Sequence, residues 1–201
     1  MKINLTKNQI NFGKTLVAKC DLPRQNHKKV ECNIFKLNSD EDSDYFEKLW
    51  KSKSWQDAKY LCDMNAELNA DIPDERIYVL ESQAGRCLGY IAMTPNLNNP
   101  KHEELVFLET CPKYQNSKAK RPLRYIGETL LAFATEQIDT SKTKAVVVKE
   151  YSQEGKPFYI KNCGFKERDD ENRTLLLRRK DFKNLTKRNE IHTKSKIQYI
   201  V

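Results

Sequence analysis

The 201-residue sequence lacks the features that mark several large classes of protein. It has no apolar run near the roughly 18 to 20 residues that a membrane-spanning helix needs, so we predict no membrane partner. The first ten residues alternate polar and apolar side chains and contain no apolar segment followed by a small-residue cleavage site. These absences predict a cytoplasmic protein.

Metal-ligand spacing is also missing. The cysteines are scattered, none belongs to a C-x-x-C pair, and there are only three histidines. We therefore predict reduced, structural thiols and no metal site. The six cysteines are Cys20, Cys32, Cys62, Cys87, Cys111 and Cys163.

The charge balance is strongly basic. Thirty-six Lys and Arg residues against 28 Asp and Glu give a formal net charge of +8, and the sequence pI is near 9.1. Clustered cations gain affinity for nucleic-acid phosphates by releasing counterions, but they also suit an anionic cofactor or an acidic partner. Charge alone keeps these classes of ligand open.

The chain divides into three predicted parts. Two alternating segments around a turn predict an N-terminal extension over residues 1–29, which would form a β-hairpin. Residues 30–180 carry the main run of apolar segments and form the predicted domain. Residues 181–201 are rich in Lys, Asn and Thr and predict a partly ordered, basic C-terminal arm.

Within the domain, apolar periodicity predicts a mixed α/β or α+β fold. The most regular signals are a hairpin, a strongly apolar third strand, an amphipathic helix and a short strand buried on both faces. The predicted helices are 40–68 (two helices), 128–138 and 155–162, and the predicted strands are 32–37, 76–81, 87–93, 104–110, 145–148 and 175–177.

The segment that follows the third strand has the chemistry of an anion site. A basic loop leads to residues 124–129, RYIGET, and then to the amphipathic helix. A loop that opens a helix presents unpaired N–H groups at the positive end of the helix dipole, and Gly127 would let a ligand approach the backbone closely. This pattern predicts that a phosphate or pyrophosphate binds there.

The whole order of elements resembles the coenzyme A core of the GNAT acetyltransferase superfamily. The resemblance rests on a strand, R-x-x-G-x-T, a helix with Leu-Leu and Ala, an apolar strand, and a Phe-Tyr segment leading to C-G-F, over residues 31–179. It implies a twisted mixed β-sheet with helices on both faces. Two departures exist: Thr129 stands where that family has Gly or Ala, and the loop over residues 115–123 is longer.

The resemblance implies acetyl-CoA as co-substrate. Its pyrophosphate would be held by the backbone amides of the loop that opens the helix, and the preceding strand would lie beside the cofactor. Lysines and Arg121 in the long loop would add charge for the ribose phosphate. The implied cofactor-binding residues are Leu108, Thr110, Cys111, Arg124, Tyr125, Ile126, Gly127, Glu128 and Thr129, and the added cations are Lys113, Lys118, Lys120 and Arg121.

The resemblance also implies two catalytic residues. Transfer to an amine needs a base for the ammonium, and Glu109 lies on the strand where GNAT enzymes often carry one. Tyr159 is the candidate acid for the departing thiolate, although it precedes Gly164 by five residues where four is usual, and Tyr151 is a weaker substitute. The alternatives are a locally bonded edge carboxylate and a packing aromatic ring.

The implied activity is N-acetyl transfer by direct attack of an amine in a ternary complex, by a monomer or a homodimer. The acceptor is open between a small molecule and a protein, and the acyl chain is open too. The alternative is a basic module that binds nucleic acid or a protein partner on a GNAT-like fold without catalysis.

Overall fold

One mixed sheet of nine strands organises the described part of the chain. The structure is a computed structural model that describes residues 14–24, 28–37, 76–96, 98–115, 123–149, 151–168 and 174–200. The predicted helices within residues 40–68 and the predicted first strand of the N-terminal hairpin lie outside the described residues.

The strand order across the sheet is β7-β8-β6-β5-β4-β3-β2-β1-β9. Neighbouring strands are antiparallel, with the exception of β5 and β6, which are parallel. The strands are β1 Lys14–Pro23, β2 Lys29–Leu37, β3 Arg76–Ser82, β4 Cys87–Pro95, β5 His102–Thr110, β6 Ala145–Val148, β7 Lys166–Glu167, β8 Leu175–Arg178 and β9 Gln198–Tyr199.

Helices follow β5, β6 and β8. The short helix α1 spans Pro112–Gln115, α2 spans Ile126–Glu136, a π-helical turn spans Phe158–Asn162, and α3 spans Arg179–Thr193. None of the described helices is long and apolar enough to cross a membrane.

Alternation along the strands divides the core between the two faces of the sheet. On one face Tyr78 and Ile91 pack with Leu130 and Phe133 of α2. On the other face Val79 and Tyr90 belong to a second cluster. Burial on both faces explains why β3 and β4 read as nearly continuous apolar runs, whereas single-sided strands would alternate.

Gly89 lets α2 approach β4 closely. A Cβ atom at this position would lie 2.7 Å from the Glu109 carbonyl oxygen and 2.8 Å from Cγ2 of Ile126. Those separations are below van der Waals contact, so any side chain here would push α2 off the sheet. The glycine therefore fixes where the first residue of α2 sits relative to the end of β5.

The C-terminal arm differs from the prediction. Residues 179–193 form α3, whose buried residues Phe182, Leu185, Asn189 and Thr193 recur every three or four positions, and β9 then pairs with β1. Two of these four residues are polar, so the apolar periodicity is weak and the segment reads as a solvated arm.

The N-terminal part also differs in detail from the prediction. β1 continues through Pro23, within the expected connector, and pairs along its length with β2. The sheet thus contains strands from all three predicted parts, and the division of the chain at residues 29 and 180 stays a prediction.

Candidate functional site

The sheet opens between its two parallel strands. β6 pairs with β5 from His102↔Ala145 to Leu105↔Val148, while β5 continues to Thr110. Among the described residues no strand pairs with the β6 side of residues 106–110. We call this feature the β5–β6 opening. In open α/β sheets, ligands bind in such crevices at the carboxyl ends of parallel strands.

A β-bulge in β5 lies at the start of the β5–β6 opening. Ala92 pairs with Phe107 and Met93 pairs with Leu105, so Val106 has no opposite residue in β4. Bulges bend a strand and increase its local twist. Val106 is the residue after the last β5–β6 pair, so the bulge lies where the two strands stop pairing.

The first turn of α2 borders this opening. The first helical hydrogen bond runs from the Thr129 N–H to the Tyr125 carbonyl at 2.9 Å. The N–H groups of Ile126, Gly127 and Glu128 have no acceptor within the part of the chain that the structure describes. Three amides at the positive end of a helix dipole form a site suited to an anion.

Gly127 is the point where three elements meet at the β5–β6 opening. A Cβ atom there would lie 3.2 Å from Cζ of Phe158 and 3.8 Å from Cγ2 of Thr110. The glycine therefore brings the backbone of α2 next to the end of β5 and to the π-helical turn. The absence of a side chain allows Phe158 to pack this close to the helix backbone.

Two polar residues in this first turn are buried against α3. The Thr129 hydroxyl donates a 2.8 Å hydrogen bond to Oδ1 of Asn189, and Oε1 of Glu128 lies 2.8 Å from Nδ1 of His192. Thr129 is the position where the GNAT pattern has a small residue. Its hydroxyl has a buried partner on α3, which explains how the larger side chain is accommodated.

Glu109 lies at the end of β5 on the other side of the sheet from α2. The Tyr90 hydroxyl donates a 2.7 Å hydrogen bond to Oε2 of Glu109, and Tyr90 is fully buried in the second core cluster. Thr110, the next residue along β5, contacts the Gly127 side. The expected base and the expected cofactor cradle therefore occupy opposite faces of one strand end.

Tyr159 lies in the π-helical turn, where the Cys163 N–H bonds to the Phe158 carbonyl at 3.2 Å, five residues back. A π-helical turn holds one residue more than an α-helical turn, so the extra residue between Tyr159 and Gly164 fits within one turn. The ring packs edge-on against Phe158 and Phe165. Burial raises the pKa of Tyr159, which keeps the phenol protonated.

No family model and no curated protein matches the sequence. Solved structures do match. AtaTR bound with AcCoA is 21% identical with a TM-score of 0.57, covering 77% of this chain and 97% of that chain. AtaT complexed with acetyl-methionyl-tRNAfMet is 18% identical with a TM-score of 0.54, covering 77% and 98%. A proposed acetyltransferase from Exiguobacterium sp. 255-15 is 17% identical with a TM-score of 0.55, covering 76% and 97%.

This chain has the GNAT fold. The predicted mixed sheet with helices, and the superfamily resemblance on which it rested, are confirmed at the level of fold. At these identities the similarity shows the architecture alone.

Within this GNAT fold the predicted cofactor residues fall into two groups. Residues 125–129 form the N-cap and first turn of α2, with Arg124 exposed beside them. On β5, Leu108 packs against the core and Thr110 faces Gly127. The backbone amide of Cys111 is not available to a cofactor, because its N–H already donates to the Leu88 carbonyl at 2.8 Å. The side chain of Lys113 and all of Lys118, Lys120 and Arg121 lie outside the described residues.

The sequence reasoning missed four residues at this site. Phe158 covers Gly127, Tyr90 holds Glu109, and α3 brings Asn189 and His192 to α2. Tyr90 lies opposite Glu109, but alternation alone does not pair them, because the pairing depends on the register of β4 and β5. Nothing in the sequence links residues 128 and 129 to a helix 60 positions later.

Proposed function

We propose that this protein is an acetyl-CoA-dependent N-acetyltransferase. The observation that carries the proposal is that three amides in the first turn of α2, which have no acceptor among the described residues, lie beside the β5–β6 opening. The amides suit a diphosphate, and the opening suits the extended arm that joins it to a thioester. The structures that share this fold include AtaTR bound with AcCoA, which supports acetyl-CoA as the ligand.

The proposed reaction is direct. Glu109 accepts a proton from the acceptor ammonium, the freed lone pair attacks the thioester carbon, and a tetrahedral intermediate forms. Its collapse re-forms the carbonyl and breaks the C–S bond, and the departing thiolate takes a proton from Tyr159. The nitrogen then gives up its extra proton, which returns Tyr159 to the phenol, and Glu109 releases the proton it accepted to solvent. The products are the N-acetylated acceptor and coenzyme A. Because Glu109 and Gly127 flank opposite faces of β5, the acceptor would approach from the face opposite α2.

The acceptor is an amine on a small molecule, on a protein or on a nucleic acid. AtaT has been seen with acetyl-methionyl-tRNAfMet, which adds an aminoacyl-tRNA to the candidates for this chain. The exposed residues Lys180, Lys183 and Lys187 are spaced along α3 and offer charge for a phosphate backbone. We propose cytoplasmic activity, as the sequence predicts.

The same lysines favour a second candidate, a module that binds nucleic acid on this fold without catalysis. The two functions give opposite results in one pair of assays. Free coenzyme A should raise the melting temperature if the enzyme proposal holds. A salt-dependent gel shift without stabilisation by coenzyme A would favour the binding module.

The deciding experiment is release of free thiol from acetyl-CoA with a panel of amines. The panel should include a lysine peptide, a polyamine and a methionyl-tRNA, with the protein omitted as control. Thiol release that depends on one amine, together with mass-spectrometric detection of the acetylated product, supports the proposal. Coenzyme A that neither binds nor stabilises the protein rejects it.

A further inference from the structure

A buried carboxylate lies in the first turn of α2, inside the proposed diphosphate site. Glu128 is 1% exposed, and its Oε1 lies 2.8 Å from Nδ1 of His192 at the end of α3. Its second oxygen, Oε2, is buried and has no hydrogen-bond partner among the described residues. Such a group is unexpected next to amides that are to bind an anion.

The charge on this carboxylate opposes the proposed ligand. A helix N-terminus carries roughly half a positive charge, so one uncompensated carboxylate in the first turn would outweigh it. Burial increases the effect, because a charge is screened less where water is excluded. The site can attract a diphosphate when the Glu128 charge is cancelled.

We propose that His192 is a positioning residue for the diphosphate site, cancelling the charge of Glu128 and holding the N-cap of α2 through its ring. This inference rests on the proposed function. With one proton between them, Glu128 and His192 are together neutral whichever of the two carries it, and the dipole and the three amides are left to face the ligand.

The ring of His192 has a second contact at the same turn. It stacks on Tyr125 with ring centroids 5.0 Å apart and an angle of 22° between the planes. Tyr125 is the N-cap residue and has φ 65, in the left-handed region, where bulky residues are uncommon and strained. The stacked ring packs on this N-cap and favours the backbone turn that points the following three amides outwards.

The other charged or titratable groups near the pair do not replace His192. Burial raises the pKa of Glu128, and His192 and then Arg188 oppose that shift. Arg188 donates hydrogen bonds to the carbonyls of Lys161 and Asn162 in the π-helical turn. Cys163 is also close, but burial raises the pKa of its thiol, which leaves it neutral. His192 is the group in hydrogen-bond contact with the carboxylate.

The test compares the affinity of three proteins for free coenzyme A by calorimetry. They are the wild type, the single variant His192→Phe, and the double variant that combines His192→Phe with Glu128→Gln. Phenylalanine keeps a ring to stack on Tyr125 but cannot carry a positive charge, so an ionised Glu128 is left uncompensated. The single variant should bind about tenfold more weakly at alkaline pH, and the loss should be smaller at acidic pH, because burial then favours the neutral carboxyl. The double variant has no charge to cancel. Its affinity should recover at least about half of the loss, measured as the logarithm of the dissociation constant.

The pH dependence gives an independent readout. Loss of the shared proton would leave one negative charge on the pair beside the amides, so the wild-type dissociation constant should rise with pH. In the double variant neither group titrates, so this part of the rise should disappear. A role limited to packing would produce neither the recovery nor the change in slope.

Two controls accompany these variants. Lys196→Ala removes an exposed cation just beyond α3 and should leave the affinity within about twofold. Asn189→Ala removes the buried bond to Thr129, and it should lower the melting temperature without any recovery by Glu128→Gln. If His192→Phe does not fold, His192→Gln replaces it, because the side chain is 35% exposed and tolerates a polar residue.

The outcomes separate the two proposals. Wild-type protein that binds coenzyme A while both His192 variants bind equally well overturns this inference and leaves the proposed function intact. A loss of affinity that Glu128→Gln does not recover also overturns it. Wild-type protein that fails to bind coenzyme A overturns the proposed function and this inference with it.

Discussion

The Tyr90 hydroxyl donates a hydrogen bond of 2.7 Å to Oε2 of Glu109, across the adjacent strands β4 and β5. Tyr90 is fully buried, so its hydroxyl is a fixed donor, and it restricts the rotamers that the Glu109 carboxylate can adopt. A general base acts well only when its position relative to the ammonium is fixed. The pair therefore links the second core cluster to the proposed chemistry.

Replacing Glu109 by Gln should lower kcat about 10²- to 10⁴-fold, because the amide keeps the shape of the side chain but cannot accept the proton. Affinity for coenzyme A should change far less, since the diphosphate cradle lies on the other face of β5. Steady-state kinetics with the identified amine and calorimetry with coenzyme A measure the two effects. Unaltered turnover from about pH 6 to about pH 9 would remove Glu109 as the base.

Tyr90→Phe is the matched variant for this pair. It removes the donor and keeps the buried ring, so it should lower kcat by less than Glu109→Gln does. In a protein that already carries Glu109→Gln, it should have little further effect on kcat, since the base that it orients is gone.

Gly127→Glu should abolish binding of coenzyme A. The new side chain would begin 3.2 Å from the Phe158 ring and would place a carboxylate where the diphosphate is proposed to lie. Gly127→Ala is the control for bulk, because it adds the same Cβ, and the same demand on the Phe158 ring, without the charge. Calorimetry gives the affinities and a thermal melt shows that both variants fold. Equal affinity in all three proteins would contradict the proposed site.

Tyr159→Phe should lower kcat by about 10²-fold or more if the phenol protonates the thiolate. Since the hydroxyl has no hydrogen-bond partner among the described residues, its loss should change the melting temperature little. Because burial raises the pKa of Tyr159, the acid stays protonated below about pH 10, and no alkaline loss of rate is expected from it there. Tyr151→Phe is the control and should retain activity. Activity that is lost in Tyr151→Phe and retained in Tyr159→Phe would assign the acid to Tyr151.

The strands and the site that could be predicted depend on residues that are close together in the sequence. The strands 76–81, 87–93, 104–110 and 145–148 were predicted because their apolar runs are short and are bounded by turn residues. The anion site at Gly127 was predicted because a glycine between a strand and an amphipathic helix lets a ligand approach the amides of the first helical turn. These predictions rest on patterns within about ten residues.

The contacts that complete the site could not be predicted in this way. α2 begins at Ile126 and not at residue 128, and the side chain of Ile126 packs over Gly89 of another strand, a contact that no local pattern encodes. Glu128 and Thr129 looked like solvent-exposed residues of a first turn, and their partners come from α3, which has a weak apolar pattern. Pairings between distant polar residues leave no periodic signal in a single sequence.

The stability of the fold should fall as the pH rises above about 8.5, owing to buried thiols. Cys20 and Cys32 lie opposite each other on β1 and β2, and burial raises the pKa of both, that of Cys32 to about 12. In the unfolded chain a cysteine ionises near pH 8.5. The folded pKa is the higher one, so this contribution is complete below about pH 8.5 and is lost as the pH rises towards 12.

Urea unfolding at about pH 7.5 and about pH 10 measures this loss. Each buried thiol should contribute up to about 1.4 kcal/mol per pH unit to the decrease, because the unfolded chain releases a proton that the native protein retains. Cys20→Ala and Cys32→Ala each remove one such group and should flatten the decrease relative to wild type, although both lower stability at pH 7.5 by leaving a small cavity. A decrease that is equally steep in wild type and in both variants would show that these two thiols are not responsible.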